Sequence, residues 1–314
     1  MKLLITGGCG YKGSVLVPKL LEKGHEVIVH DSQWFGSFLK SHPKLKVYKT
    51  DIREIDKINF EGVSTFIHLA NVANDPSVEL NPLSSWEINV LASQQILDKA
   101  IKQNVSHVIF ASSGSVYGVK KEDKVTEDLE LVPISTYNKT KMVAERVFLS
   151  YSNQAKVHCL RPATVCGLSP RMRLDVAVNL LTFQALSKKQ ITVLGGDQVR
   201  PNIHIDDIAD LYIHLINNKD KIDSGCFNAG FENISIKEIA ELIQRKTNCS
   251  IEIKPSNDPR SYRQDSTKIL KTGFKPTKSV DAAISEIIDA YNKGRLSDNP
   301  AWHTVKWMKE NNIK

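Results

Sequence analysis

The sequence predicts an α/β fold in which a doubly wound parallel sheet carries a smaller mixed α/β lobe. Three observations lead there. Short apolar runs alternate with stretches of helical spacing from the first residue onward. The first run ends in a glycine-rich turn that opens directly into a helix. At 314 residues the chain also exceeds the size at which a single core usually stops growing, so two lobes are expected.

Taken in order, Lys2–Thr6 is the first strand, and Tyr11–Lys23 follows with Val15, Leu16 and Leu20 at helical spacing. Glu26–His30, Leu45–Lys49, Thr65–Leu69, His107–Ser112 and Lys156–Arg161 continue the strand series. Long helical stretches fall near Ser84–Gln103 and over Tyr137–Ser152. Such alternation implies parallel strands with helices on both faces. After Arg161 the rhythm loosens: Pro162–Asp175 holds two prolines, a glycine and three charged residues, so the lobe boundary is placed there. Beyond it Ile191–Leu194 and Ile251–Lys254 read as strands, and Ile208–Asn217, Ile236–Lys246 and Val280–Asn292 as helices. The expected division assigns 1–166 to the sheet domain, with a segment near 199–230 returning to it. The smaller lobe then takes 167–198 and 231–314.

Composition narrows the function. Hydrophobic residues at 41% and charged residues at 25% are ordinary for a globular enzyme. No apolar run approaches the ~20 residues a membrane span requires. The opening MKLLITGG turns glycine-rich too soon for a secretory leader, so a cytoplasmic location is expected. Five scattered cysteines without a CxxC pair argue for buried free thiols rather than disulfides or zinc. The net charge of +7 comes from dispersed lysines with no basic run of five, which speaks against nucleic acid and is compatible with a small anionic substrate.

Gly7-Gly8-Cys9-Gly10-Tyr11-Lys12-Gly13 lies between the first strand and first helix. Glycine at 7, 10 and 13 permits a tight turn, close approach of backbone to a pyrophosphate, and close helix packing, which makes the sheet Rossmann-type. Asp31 ends the second strand, where a carboxylate accepts both ribose hydroxyls and repels a 2′-phosphate; this favours NAD over NADP. Asp51 and Ile52, after the third strand, occupy the place of an adenine contact.

Tyr137 and Lys141 are four residues apart and share one helical face. A free tyrosine is a poor base near neutrality, and a nearby ammonium favours its phenolate. A serine hydroxyl can then hold a substrate oxygen. The chain contains a second copy of this spacing, Tyr117-Gly118-Val119-Lys120-Lys121, but its glycine suits a loop. The copy at 137 lies in an amphipathic helix with Met142, Val143, Val147 and Phe148.

The set GGCGYKG at 7–13, HLAN at 68–71, SSGSVYG at 112–118, YNKTK at 137–141 and RPATVCG at 161–167 resembles the extended short-chain dehydrogenases. More narrowly, it is similar to the NAD-dependent epimerase/dehydratase group acting on nucleotide sugars, over nearly the whole chain. The resemblance implies that Ser113 is the catalytic hydroxyl beside Tyr137 and Lys141, with Ser112 and Ser115 equally open to structural roles. It places Tyr11, Leu69, Ala70 and Asn89 with Gly7, Gly10, Gly13 and Asp31 along the cofactor. It puts Asn179, Arg200 and Arg260 on the substrate diphosphate and Thr164 by the sugar, and implies a homodimer pairing helices from around 86–103 and 137–152. Thr164 replaces an asparagine common in the family, and Cys166 stands where an aromatic is frequent. The run SPRMRLD at 169–175 resembles a subgroup that includes C4 oxidoreductases of GDP-heptoses.

The 4,6-dehydratases of the family carry an Asp-Glu pair after the catalytic hydroxyl, whereas this chain has Gly114-Ser115, which speaks against dehydration. The expected activity is therefore 4-epimerisation of a nucleotide sugar, of the UDP-glucose 4-epimerase kind. A net C4 dehydrogenase or 4-keto-sugar reductase is the alternative, and a non-catalytic NAD-binding regulator an alternative of another class. His204 with Asp206-Asp207 reads as a helix start with capping carboxylates, and no metal is expected. Trp302 and Trp307 read as packing anchors.

Overall fold

The computed structural model describes residues 1–256 and 261–313. The first six strands are Lys2–Thr6 (β1), Glu26–Asp31 (β2), Leu45–Lys49 (β3), Thr65–His68 (β4), His107–Ala111 (β5) and Lys156–Pro162 (β6). They are followed by Thr164–Cys166 (β7), Gln190–Leu194 (β8), Val199–His204 (β9), Gly225–Ala229 (β10), Glu232–Ser235 (β11) and Ser250–Lys254 (β12). The large sheet runs β10-β6-β5-β4-β1-β2-β3, and every pairing in it is parallel. Strand order reverses between β1 and β4, which opens a crevice above their C-terminal ends.

The central strands are near-continuous apolar runs because helices cover both faces. On one face the helix Gly13–Glu22 buries Leu16, Val17 and Leu20 in a core shared with Ile208, Leu211 and Leu215 of the helix Ile205–Asn217. On the other, Ile96 and Leu97 of Ser93–Lys102 join Ala144 and Phe148 of Thr136–Leu149. A separate core surrounds the β8–β12 pair, built from the helices Ala177–Lys188, Ile236–Thr247 and Val280–Asn292. A third sheet is β11-β9-β7, its strands alternating in sequence with β8 and β10 of the other two sheets.

Two local expectations change. The single helix over 84–103 is three pieces: Pro82–Trp86, a widened π-helical stretch Glu87–Ala92, and Ser93–Lys102. Asn89 sits in the widened stretch and turns inward to bond Val72 through both its amide groups. The helix expected from Ile208 starts at Ile205, because the His204 side chain accepts from Asp206 N and caps it. All five thiols are buried and free. No described helix is long and apolar enough to cross a membrane.

Candidate active site

One cavity of about 490 Å³ opens at the reversal point and reaches across to the loop after β7. Its near wall is the glycine loop. Gly7 has φ +73°, and a Cβ there would lie 2.5 Å from Ala70 N; at Gly13 a Cβ would lie 2.3 Å from Gly8 O. Side chains at either position would break the turn or push the helix off the strand. The loop therefore presents bare backbone at a helix N-terminus, the arrangement that receives a phosphate.

Asp31 stands at the end of β2 on the same wall. Its Oδ2 accepts from Cys9 N at 2.9 Å and its Oδ1 from Gln33 N at 2.7 Å, which aims the carboxylate along the groove. Burial raises its pKa, and those two backbone donors pull it back. Cradle and carboxylate together fit a dinucleotide whose ribose hydroxyls are free. Gly10, Tyr11, Asp51, Ile52, Leu69 and Ala70 line the same cavity. The Asp51 carboxylate is committed to Arg53, at 3.0 and 2.8 Å. The Tyr11 phenol turns away to donate to Gly167 O at 2.8 Å, tying the loop to the second lobe.

Ser113, Tyr137 and Lys141 line the far half of this cavity. Tyr137 is placed by the first turn of the helix Thr136–Leu149, where Ser135 caps by accepting from Asn138 N. Burial pushes its phenol up to about 12, partly offset by a hydrogen bond with Ser113 and by the charge of Arg173. Lys141 donates to Ala111 O at 2.7 Å and lies over the Phe110 ring. Burial, then repulsion from Lys12, holds its pKa well below the usual lysine value. Ser113 Oγ is 2.8 Å from Ser115 Oγ, which in turn accepts from Asn138 Nδ2 at 2.9 Å. Ser112 is structural: its hydroxyl donates to buried Glu145 at 2.7 Å.

Thr164 and Arg200 also line the cavity. Two expected contacts do not. Asn89 is not among the lining residues, and its amide is occupied by Val72 and Thr140. Asn179 is likewise absent from the lining; it accepts from Gly167 N and donates to Tyr11 Oη and Arg173 O, so it braces the loop after β7. Arg260 lies outside the described residues. His204, Asp206 and Glu286 approach one another closely enough to share a cation. Both His204 nitrogens are already engaged, Nδ1 by Asp206 N and Nε2 by Glu286.

The cavity also collects residues that motif reasoning passed over: Lys12, Phe35, Asn74, Arg171, Arg173, Asp175 and Thr304. Arg173 and Asp175 pair through two hydrogen bonds, at 2.9 and 2.8 Å. The signal available was SPRMRLD itself, cations in a proline-bearing loop just after a strand end.

With this geometry in hand, comparison with known proteins is specific. The NAD dependent epimerase/dehydratase family matches residues 3–230. A UDP-glucose 4-epimerase from Lactobacillus helveticus is 30% identical over 315 residues, covering 91% of this chain and 95% of the relative. UDP-glucuronic acid decarboxylase 5 from Arabidopsis thaliana is 31% identical, covering 88% and 85%. Among solved structures, UDP-glucose 4-epimerase with UDP-glucose from Thermotoga maritima superposes with TM-score 0.85 at 25% identity, covering 94% and 99%.

Proposed function

We propose that this chain, which belongs to the NAD dependent epimerase/dehydratase family, inverts the C4 hydroxyl of a nucleotide-linked hexose such as UDP-glucose. One observation carries the reading. Ser113, Tyr137 and Lys141 line the same cavity as the glycine loop and Asp31, and the two residues after Ser113 offer no carboxyl for eliminating water.

In this reading the backbone of the 7–13 loop receives the pyrophosphate of the dinucleotide, and Asp31 accepts the ribose hydroxyls and repels a 2′-phosphate. Bound NAD supplies the two-electron oxidation and re-reduction at the sugar C4. Tyr137 Oη takes the proton of the C4 hydroxyl as that carbon is oxidised and returns it when the carbon is reduced. Ser113 Oγ, positioned by Ser115, holds the C4 oxygen in line with the phenol. Lys141 supplies the positive charge that favours phenolate once the cavity is closed to water. Inversion requires the keto sugar to turn over between the two transfers. Thr164 faces the sugar and Arg200 the diphosphate. Arginine suits the latter because its planar fork matches an oxyanion.

The functional unit is a homodimer in the cytoplasm, where buried thiols stay reduced. Leu83 and Leu91 support the pairing face: both lie in the 82–102 helical stretch and are 78% and 55% exposed. Leu91→Arg should convert dimer to monomer in sedimentation equilibrium. An unchanged oligomer would remove this face.

The activity is tested by incubating the purified protein with UDP-glucose and no added cofactor, then denaturing it, resolving the C4 epimers of equal mass by proton NMR and weighing the released dinucleotide. The C4 epimer with near-stoichiometric NAD supports epimerisation. Product formed only with equal consumption of added NAD or NADH would make the chain a net dehydrogenase or reductase.

A further inference from the structure

Arg171 stands on the loop between β7 and the helix Ala177–Lys188, only 3% exposed. Its guanidinium carbon lies over the Phe35 ring, 4.1 Å from the ring centre. Nη1 donates to Met172 O and Nη2 to Thr304 Oγ1, both at a long 3.3 Å. Nε is buried with no hydrogen-bond partner, and no carboxylate pairs with the group among the described residues. Asp175 and Asp31 act on it only at a distance, with no direct pairing. A buried guanidinium with two weak neutral bonds and one orphaned N–H is a costly arrangement unless an anion completes it. Burial, and then the charge of Arg173, pulls its pKa down to about 9 against the opposing charges of Asp175 and Asp31.

Lys12 faces the same cavity from the glycine loop and carries no ion pair among the described residues. Burial and then Arg173 hold its ammonium down, to about 8. Two uncompensated cations therefore flank the bare backbone of the loop, one from each lobe. Arg171 is held in place by the C-terminal segment. Leu174 N donates to Trp302 O at 2.9 Å, Trp302 packs on Phe38, and Trp307 Nε1 donates to Trp34 O at 2.7 Å. This gives Trp302 and Trp307 a purpose, since they fix Thr304 beside the guanidinium.

We propose that Arg171 is a ligand of the dinucleotide's pyrophosphate, closing over it from the second lobe opposite Lys12. The inference rests on the dinucleotide reading of the groove and is independent of what happens at the sugar. An oxyanion between Arg171 and the loop would satisfy Nε and neutralise the buried charge in one contact. It would also make cofactor retention depend on the 167–176 loop and the C-terminal segment, which are far from the glycine motif in sequence.

Equilibrium binding of NAD, ADP and adenosine to the full chain tests this without turnover. Arg171→Met keeps an unbranched apolar stem in the buried wall and removes the charge; NAD and ADP should bind about tenfold or more weakly, with adenosine unchanged. Arg171→Lys, which keeps charge but loses the fork, should fall between and guards against a misfolded methionine variant. NAD and ADP affinities within twofold of the parent would overturn the assignment. An equal loss for adenosine would also overturn it, since Arg171 would then only shape the pocket. A parent chain binding neither NAD nor ADP would instead sink the dinucleotide groove, and this inference with it.

Discussion

Tyr117–Lys121 and Tyr137–Lys141 carry the same spacing, and the structure gives them opposite work. Tyr117 is fully buried; its hydroxyl donates to Asn228 Oδ1 at 2.8 Å and accepts from Arg161 Nη1 at 2.7 Å. Arg161 in turn pairs with buried Glu145 through two hydrogen bonds, at 2.9 and 2.7 Å. Gly118 follows at φ +70°, where a Cβ would meet Val132 O, so the chain turns away and Lys121 ends exposed in a loop. Tyr137 instead opens a helix that brings Lys141 beneath it, and both face the cavity. A phenol whose donor and acceptor capacities are both taken by the scaffold is structural. One that faces open space beside a hydroxyl and a buried ammonium is available for chemistry.

The comparison can be broken at several points. Tyr137→Phe should lower kcat by about 10³-fold with the melting temperature unchanged, since general-base contributions run to ~10²–10⁴; retained activity in a steady-state assay would remove the assignment. Arg161→Met should do the reverse, costing ~3–5 kcal/mol of unfolding free energy because Glu145 is left buried without its partner, as denaturant titration would read.

Lys141→Met should lower kcat by about 10²-fold while leaving the protein as stable or more so. The sign follows from the lowered lysine pKa. Below that folded value the native state bears the full cost of a buried ammonium, and the cost fades as pH rises towards the unfolded value of ~10.4. The stability gain of the methionine variant should therefore be largest on the acid side of that folded value and vanish in alkali. Tyr117→Phe should cost about 1–2 kcal/mol with turnover within twofold, because Arg161 and Asn228 each lose a buried partner. Lys121→Ala should change neither quantity beyond ~0.5 kcal/mol.

Much of this was legible locally. β1, β2, β4, β5 and β6 read as apolar runs because strands buried on both faces need no alternation, whereas the edge strand β3 is half-exposed Leu-Lys-Val-Tyr-Lys. Gly7 and Gly13 could be read from spacing because what they avoid, Ala70 and Gly8 backbone, belongs to the turn itself and the adjacent strand end. β7 is three residues long and β10 is Gly-Cys-Phe-Asn-Ala, so neither shows a period. Asn89 and Asn179 looked like ligands by position, but a buried amide takes whatever backbone faces it, here Val72 and Gly167. Arg171 meets Thr304 across 133 residues of chain, a distance at which no motif or periodicity carries information.

The most direct measurement uses UDP-glucose deuterated at C4, followed by mass spectrometry and proton NMR of sugar and dinucleotide. The account predicts that the C4 epimer forms with the deuterium still on C4, that no labelled reduced dinucleotide is released, and that Tyr137→Phe yields no product. Deuterium leaving the sugar on free reduced dinucleotide, or an undiminished Tyr137→Phe, would contradict it.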